Sequence, residues 1–347
     1  MFKYELHNKE KFMLKKMSLA IASVLLATTA YAADITGAGS TFAFPIVSKW
    51  SDTYKKESGN QVNYQSIGSG AGIKQIQSKT VVFGATDMPL GLEDLLKYRF
   101  VQWPEIMGGI VLAINVEGVK SGELVLDGPT IADIYLGKIK KWNDTAIAKL
   151  NPTVKLPDAP ITVVRRSDGS GTSFNFTNYL SKVSASWKSG PGEGAAIEWP
   201  VGIGAKGNDG VAANVQQSKN SIGYVEYAFA KQNNLTTTKM INAAGKTVEP
   251  SVKSFSSAAA KADWHSVPGF GVILTNQLGD DSWPLTAATF VLMYSEPTDT
   301  VASRAAIAFF NWAFDNGNKS AEELDYIPMP ANVVKEIKNT VWTTIKH

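Results

Sequence analysis

The stretch VVRRSDGSGTSFNFTNYL, residues 163–180, sets the architecture. A strand-like apolar start runs into two arginines, an acid, two glycines and a row of hydroxyls, then an aromatic-rich segment of helical character. Glycine lets the backbone turn and come close to a ligand. Ser and Thr cap a helix or donate to an oxyanion, and a helix start adds unpaired N–H groups and partial positive charge. The unit reads as strand, turn, helix, with a loop suited to a small anion. It matches neither the G-x-x-x-x-G-K-[ST] nucleotide loop nor the G-x-S-x-G nucleophile elbow.

Two more segments share this design. Thr36-Gly-Ala-Gly-Ser-Thr-Phe42 precedes the helix-like PIVSKWSDTYKKE, and Gly68-Ser-Gly-Ala-Gly72 precedes IKQIQS. A single glycine before a helix is most often a turn with a cap. Three such units in one chain, one led by arginines, point to an anion site. Around them, strands are expected at 61–67, 81–85, 109–114, 161–164, 221–225 and 288–294. Helices are expected at 45–57, 72–78, 130–136, 173–181, 211–217, 302–316 and 331–344. This alternation predicts an α/β fold with sheets covered on both faces. Residues 189–210, where Gly and Pro mix with apolar residues, are expected to form an ordered loop region on the ligand side.

The one long apolar run, LKKMSLAIASVLLATTAYAA, has Lys15 and Lys16 in front and Ala30-Tyr31-Ala32 behind. It reads as a secretory signal peptide over residues 1–32, too short for a membrane span, with Met13 and Met17 as alternative starts. Residues 1–32 carry five lysines against two acids, which equals the whole chain's formal charge of +3. The remainder is close to neutral, and the apparent pI of about 8.7 belongs largely to the leader. Charge therefore gives no case for a nucleic-acid or membrane-surface partner. The chain has no cysteine, which excludes disulfides and a lipid-modified cysteine, so stability must come from the core. Of three histidines, His7 lies in the leader and His265 and His347 stand far apart. That leaves almost no material for a zinc site or a Ser-His-Asp triad, and neither metal nor cofactor is expected. The expected location is a periplasm.

TGAGSTF (36–42), IGSGAGIKQI (67–76), FGATDMPL (83–90), SGELVLDGPTIADIYLGKIKKWND (121–144), the 163–180 stretch, KGNDGVAANVQ (206–216) and IGYVEYAFAKQNNL (222–235) resemble the phosphate-binding component of the high-affinity phosphate ABC transporter. The resemblance runs in order through the chain beyond the leader. It implies a type II periplasmic binding fold: two α/β lobes joined by crossover strands, with the ligand in the interlobe cleft. Lobe I would comprise residues 33–112 and 285–347, and lobe II residues 113–284. The motif matches imply phosphate ligands Thr41, Phe42, Ser69 and Asp87 from the first lobe, and Arg166, Ser170, Gly171 and Thr172 from the second. They further imply a monomer that hands inorganic phosphate to an inner-membrane permease and its ATPase subunits. Ala43 stands where the family often has proline, and Gly70 where it often has serine; Gly70 still offers its N–H. The start Ala33-Asp-Ile-Thr is not the Asp-Ile-Asn-Gly of related secreted phosphate binders.

These residues have distinct physical roles. Arg166 would grip two oxygens as a fork, with Arg165 a surface residue. Asp168 would salt-link and orient Arg166, or act as a plain helix N-cap. Thr41, Ser69, Ser170 and Thr172 would donate hydroxyl bonds, and Phe42 and Gly171 would donate N–H bonds. Asp87 would accept a hydrogen bond from the P–OH of phosphate and oppose sulfate, which carries no proton. Lys138, Lys140 and Lys141 read as a solvated face, Gly207-Asn-Asp-Gly210 as a turn and cap, and the tryptophans mostly as core. Two other readings remain open: a secreted phosphatase or phosphotransferase using the same cradle, and a binder of another tetrahedral oxyanion.

Overall fold

Strand and helix alternate through residues 34–347, the part that the computed structural model describes; the expected signal peptide lies outside the described residues. The strands are β1 (Asp34–Gly39), β2 (Gln61–Ser66), β3 (Phe83–Thr86), β4 (Phe100–Asn115), β5 (Val125–Leu126), β6 (Thr162–Arg166), β7 (Ile203–Ala205), β8 (Ser221–Glu226), β9 (Thr236–Thr237), β10 (Lys239–Ile241), β11 (Thr247–Val248) and β12 (Thr286–Tyr294). The helices that position the site are α1 (Phe44–Ser58), α2 (Ser69–Gln77), α3 (Gly128–Tyr135), α4 (Gly171–Val183), α5 (Gly207–Gln217), α6 (Tyr227–Gln232) and α7 (Thr300–Asn316).

The main sheet runs β2-β1-β3-β12-β4-β8-β6-β7, with β9 added to β4, and β11-β10-β5 form a small second sheet. β1 is parallel to β2 and β3, and β6 is parallel to β7 and β8. β4 joins these two parallel groups. From Phe100 to Gly109 it pairs antiparallel with β12, and from Ile110 to Asn115 it pairs antiparallel with β8. One strand is thus shared by two α/β halves.

The sequence predicts only the 109–114 part of β4, where Ile110-Val-Leu-Ala-Ile114 is apolar without a break, as a strand buried on both faces should be. Gln102, Pro104 and Glu105 interrupt that pattern further up. Proline is tolerated there because the register shifts: Thr289 faces Ile106 and Phe290 faces Pro104, which leaves Glu105 as the extra residue of a bulge.

Helices α2, α4 and α5 each begin two to four residues before their expected starts, so the glycine and hydroxyl residues sit in the first turn. Gly72 of α2 lets that helix lie directly on β1, since a Cβ there would fall 2.4 Å from Gly39 Cα. The 331–344 segment is α-helical only to Glu336; a wider turn (337–341) and a tighter one (342–344) follow. They seat Trp342 edge-on to Trp103 and stacked on Phe314. In the other half, Phe176 of α4 stacks on Tyr224 of β8 with centroids 4.2 Å apart. Most tryptophans are buried, with Trp199 and Trp312 partly so. Lys138 and Lys141 are exposed and paired with Asp133 and Asp158.

Candidate functional site

Three helix starts converge where the two halves meet. Thr41 and Phe42 lead into α1, Ser69 opens α2, and Ser170 caps α4 ahead of Gly171 and Thr172. Asp87 follows the end of β3, and Arg166 ends β6. The side chains of Thr41, Ser69, Asp87, Arg166, Ser170 and Thr172 are each at most 3% exposed. The open surface cavity of about 510 Å³ lined by Lys239, Ser254 and Asp281 does not reach them.

Contacts between the halves enclose the ring. Gly171 N–H donates to Ser69 Oγ (3.1 Å), Gly70 N–H to the Gly169 carbonyl (2.9 Å), and Asn175 Nδ2 to the Asp87 carbonyl (2.7 Å). Asn208 Nδ2 donates to both Thr41 Oγ1 (2.8 Å) and Thr172 Oγ1 (3.1 Å). Gly70 and Gly171, both expected to offer N–H groups to a ligand, instead give them across the cleft. Phe42 N–H, just ahead of α1, meets no acceptor among the described residues.

The four expected donor hydroxyls share one arrangement. Each oxygen already accepts from the protein: Thr41 from Asn208, Ser69 from Gly171 and Asp87 N–H, Ser170 from Ser173 N–H, and Thr172 from Asn208. A hydroxyl has one proton to give: among the described residues those of Thr41, Ser170 and Thr172 remain for a further acceptor, whereas that of Ser69 leans on the Asp87 carboxyl. The ring is therefore built to donate.

Arg166 carries the local positive charge. Its Nε donates to Asp168 Oδ1 at 2.8 Å and its Nη2 to Oδ2 at 2.5 Å, which engages one full edge of the guanidinium. Nη1 points to Thr172 Oγ1 at 3.4 Å, so the free end of the fork faces the ring. Burial works to raise the Asp168 carboxyl, but hydrogen bonds and charge from Arg166, with Gly207 N–H, outweigh it and hold it below its usual value. Asp168 is not the helix cap, because Ser170 takes that position. Nor is Arg165 a plain surface residue: it is half-buried and its Nη1 folds back onto the Arg166 carbonyl at 3.2 Å.

Asp87 is the one carboxylate of the ring itself. Ser40 Oγ donates to its Oδ1 over a short distance, and Thr289 Oγ1 donates to the same oxygen at 2.8 Å. Oδ2 takes part in neither bond. Burial pushes Asp87 up to about 6, against the pull of Ser40, Thr289, Arg166 and Ser69. It is mostly ionised at neutral pH.

The sequence does not single out Ser40, Asn175, Asn208 or Thr289. Ser40 lies in TGAGSTF beside two named residues, but its hydroxyl turns towards Asp87 instead of the ring centre. Asn208, within a segment read as a turn and cap, links Thr41, Thr172 and the Glu226 N–H. Only the packing of α5 against β4 and β8 brings it there. Thr289 is reached through the pairing of β12 with β3, far away in sequence.

The model of the PBP superfamily domain matches residues 27–316. The phosphate-binding protein PstS of Pasteurella multocida is 52% identical over 332 residues, covering 96% of both chains. That of Haemophilus influenzae is 51% identical over 334 residues, covering 96% of this chain and all of the relative. The chain belongs to the PstS family of phosphate-binding proteins. Among solved structures, a putative phosphate ABC transporter substrate-binding protein with bound phosphate from Clostridium perfringens superposes with a TM-score of 0.63 at 20% identity. The match covers 86% of this chain and all of that one, and it supports the two-lobed periplasmic binding fold. Within this PstS-family fold, the ring lies between the lobes, where β4 passes from one sheet half to the other.

Proposed function

We propose that this chain captures inorganic phosphate with high affinity in a periplasm and hands it, chemically unchanged, to the permease of an ATP-driven importer. The observation that carries the reading is the set of four buried hydroxyls whose oxygens are all tied as acceptors, gathered with one guanidinium around one carboxylate. In this reading Thr41, Phe42, Ser69, Arg166, Ser170, Gly171 and Thr172 form the donor set and Asp87 accepts the P–OH. The Gly171 N–H would swing from Ser69 to the ligand. The protein acts as a monomer with residues 33–112 and 285–347 as one lobe and 113–284 as the other. Closure of the lobes creates the form that the permease and its ATPase subunits recognise.

With Arg166 paired to Asp168 and Asp87 ionised, the site's formal charge is negative before the anion arrives. Affinity must come from local dipoles: hydrogen bonds to a charged group contribute about 1.5–3 kcal/mol each, and several support micromolar or tighter binding. Among the described residues the hydroxyls of Thr41, Ser170 and Thr172 donate to no carboxylate or imidazole, so none of these three has a base in place to activate it for attack. The better placed of the two late histidines, His265, pairs with Glu336 on the exposed surface. Equilibrium dialysis against labelled phosphate tests capture, and retention without release of product from a phosphomonoester is the expected result. Turnover that disappears in Ser170→Ala would favour an enzyme.

Two further outcomes follow from the geometry. A Cβ on Gly171 would fall 2.5 Å from Ser69 Oγ and 2.7 Å from Asp87 N, both on the opposite lobe. Gly171→Ala should weaken phosphate binding by at least about tenfold, because the backbone at Asp87 has little room to retreat. The melting temperature without phosphate should stay near wild type. Equal affinity would mean that the lobes need not approach this closely.

Ser40→Ala removes a donor from ionised Asp87. Its carboxyl, already at about 6, should rise further, by about one pH unit for one charge-assisted bond. Discrimination against sulfate requires the ionised form and is lost as pH falls through that value. Competition assays between pH 5 and 8, on the order of that range, should show the loss of selectivity displaced upward in the variant. An unmoved profile would assign Ser40 a packing role only.

A further inference from the structure

Behind Asp87 lies a second carboxyl that phosphate capture does not use. Glu105 is the extra residue of the β4 bulge, set between the partners of Thr289 and Phe290. Thr289 is also the residue that donates to Asp87, so the bulge faces the neighbouring strand of the carboxylate that reads the ligand. Glu105 is 1% exposed, and neither of its oxygens has a hydrogen-bond partner among the described residues.

The titratable groups around it come from four elements. Asp87 lies beyond β3, Tyr64 on β2, Tyr326 on the segment after α7, and Arg166 faces Asp87 from the other lobe. Both phenols are turned away to backbone carbonyls, Tyr64 to Ser40 and Tyr326 to Phe42. Glu226, beyond Tyr326, is the next carboxyl and accepts from Ala228 N–H at the start of α6.

Two buried carboxyls that feel each other do not both ionise readily, and the one with donors keeps the charge. Asp87 has Ser40, Thr289 and the Arg166 charge; Glu105 has none of these. We propose that Glu105 and Asp87 divide one proton between them, Asp87 ionised and Glu105 protonated, and that Glu105 thereby sets the alkaline limit of phosphate capture. Burial, and next the Asp87 charge, push Glu105 up to about 8, in keeping with this division. Above that value a second negative charge appears behind Asp87 and opposes the bound anion. The alkaline limit rests on the phosphate reading above.

The test compares wild type with Glu105→Gln, and with Glu105→Leu should the amide fail to fold. Calorimetric titration with inorganic phosphate runs from about pH 6.5 to about pH 9.5, on either side of the expected ionisation. Phosphate's own titration is common to both proteins and cancels in the ratio of their Kd values. The ratio should be flat at the acid end, and wild type should lose about fivefold or more relative to the variant at the alkaline end. A ratio independent of pH overturns the alkaline limit.

A second readout needs no ligand. The unfolded chain releases this proton near its ordinary value, whereas the folded chain holds it to about 8. Wild type therefore loses stability relative to Glu105→Gln as pH rises between those two values. The variant should melt higher than wild type by a margin that grows over that window. A constant margin overturns the division of the proton. Failure of wild type to bind phosphate at neutral pH would instead overturn the capture role and with it the alkaline limit, while the melting margin still decides where the proton sits.

Discussion

Arg166→Gln is expected to raise the Kd for phosphate about a thousandfold or more, through loss of the charged donor that faces the ring. The wild-type side chain is 2% exposed and anchored on both Nε and Nη2 by Asp168. It is thus held rigid with its remaining N–H groups turned inward. Removing it deletes those bonds and leaves Asp168 half-buried without its cation, a situation that costs about 3–5 kcal/mol when one partner of a buried pair is lost. Part of the effect should therefore appear as a lower melting temperature. The double variant Arg166→Gln with Asp168→Asn separates the two contributions. It should recover much of the stability and none of the affinity, as read by melting and by calorimetry. Recovery of affinity in the double variant would mean that the guanidinium does not touch the anion.

How much of this was legible beforehand depended on how local each feature is. The three glycine-hydroxyl helix starts were visible because each needs only a few consecutive residues, and the pairing of Arg166 with Asp168 spans just two positions. The alternation that gives the α/β class was equally local. The first part of β4 was not legible, because a bulge at Pro104 and Glu105 breaks the period that marks a strand. The support around the ligand set was also hidden. Ser40 and Asp87 are 47 residues apart and Thr289 and Asp87 are 202 apart, and the sheet order alone joins them. Asn208 spans 167 residues to Thr41. Hydroxyl and amide side chains are common on surfaces, so nothing in their type marks these few as buried.

Asp87→Asn should change selectivity far more than phosphate affinity. The amide keeps the oxygen that accepts from Ser40 and Thr289 and places N–H donors where the carboxylate had lone pairs. Sulfate, which offers only acceptors, then meets a donor and no longer a charge. An acceptor opposed to an acceptor in a buried site costs several kcal/mol, on the order of a hundredfold to several thousandfold in affinity. Sulfate binding in the variant should approach phosphate binding to within about tenfold, and the selectivity should no longer depend on pH. In wild type the same relaxation should come from acid alone. Asp87 sits at about 6 in the folded protein, so lowering the pH through that value protonates it and turns it into a donor. Competition between labelled phosphate and excess sulfate, measured across that range for both proteins, checks the two statements together. A variant that still excludes sulfate would assign the reading of the proton to another group.

A ring built to donate, with one carboxylate set into it, should capture phosphate and refuse its fully deprotonated analogue. Calorimetry on phosphate-stripped wild-type protein near neutral pH, with phosphate in one titration and sulfate in the other, tests it most directly. The expected Kd for phosphate is about a micromolar or below, with sulfate weaker by about a thousandfold or more. Sulfate binding within about tenfold of phosphate would contradict it.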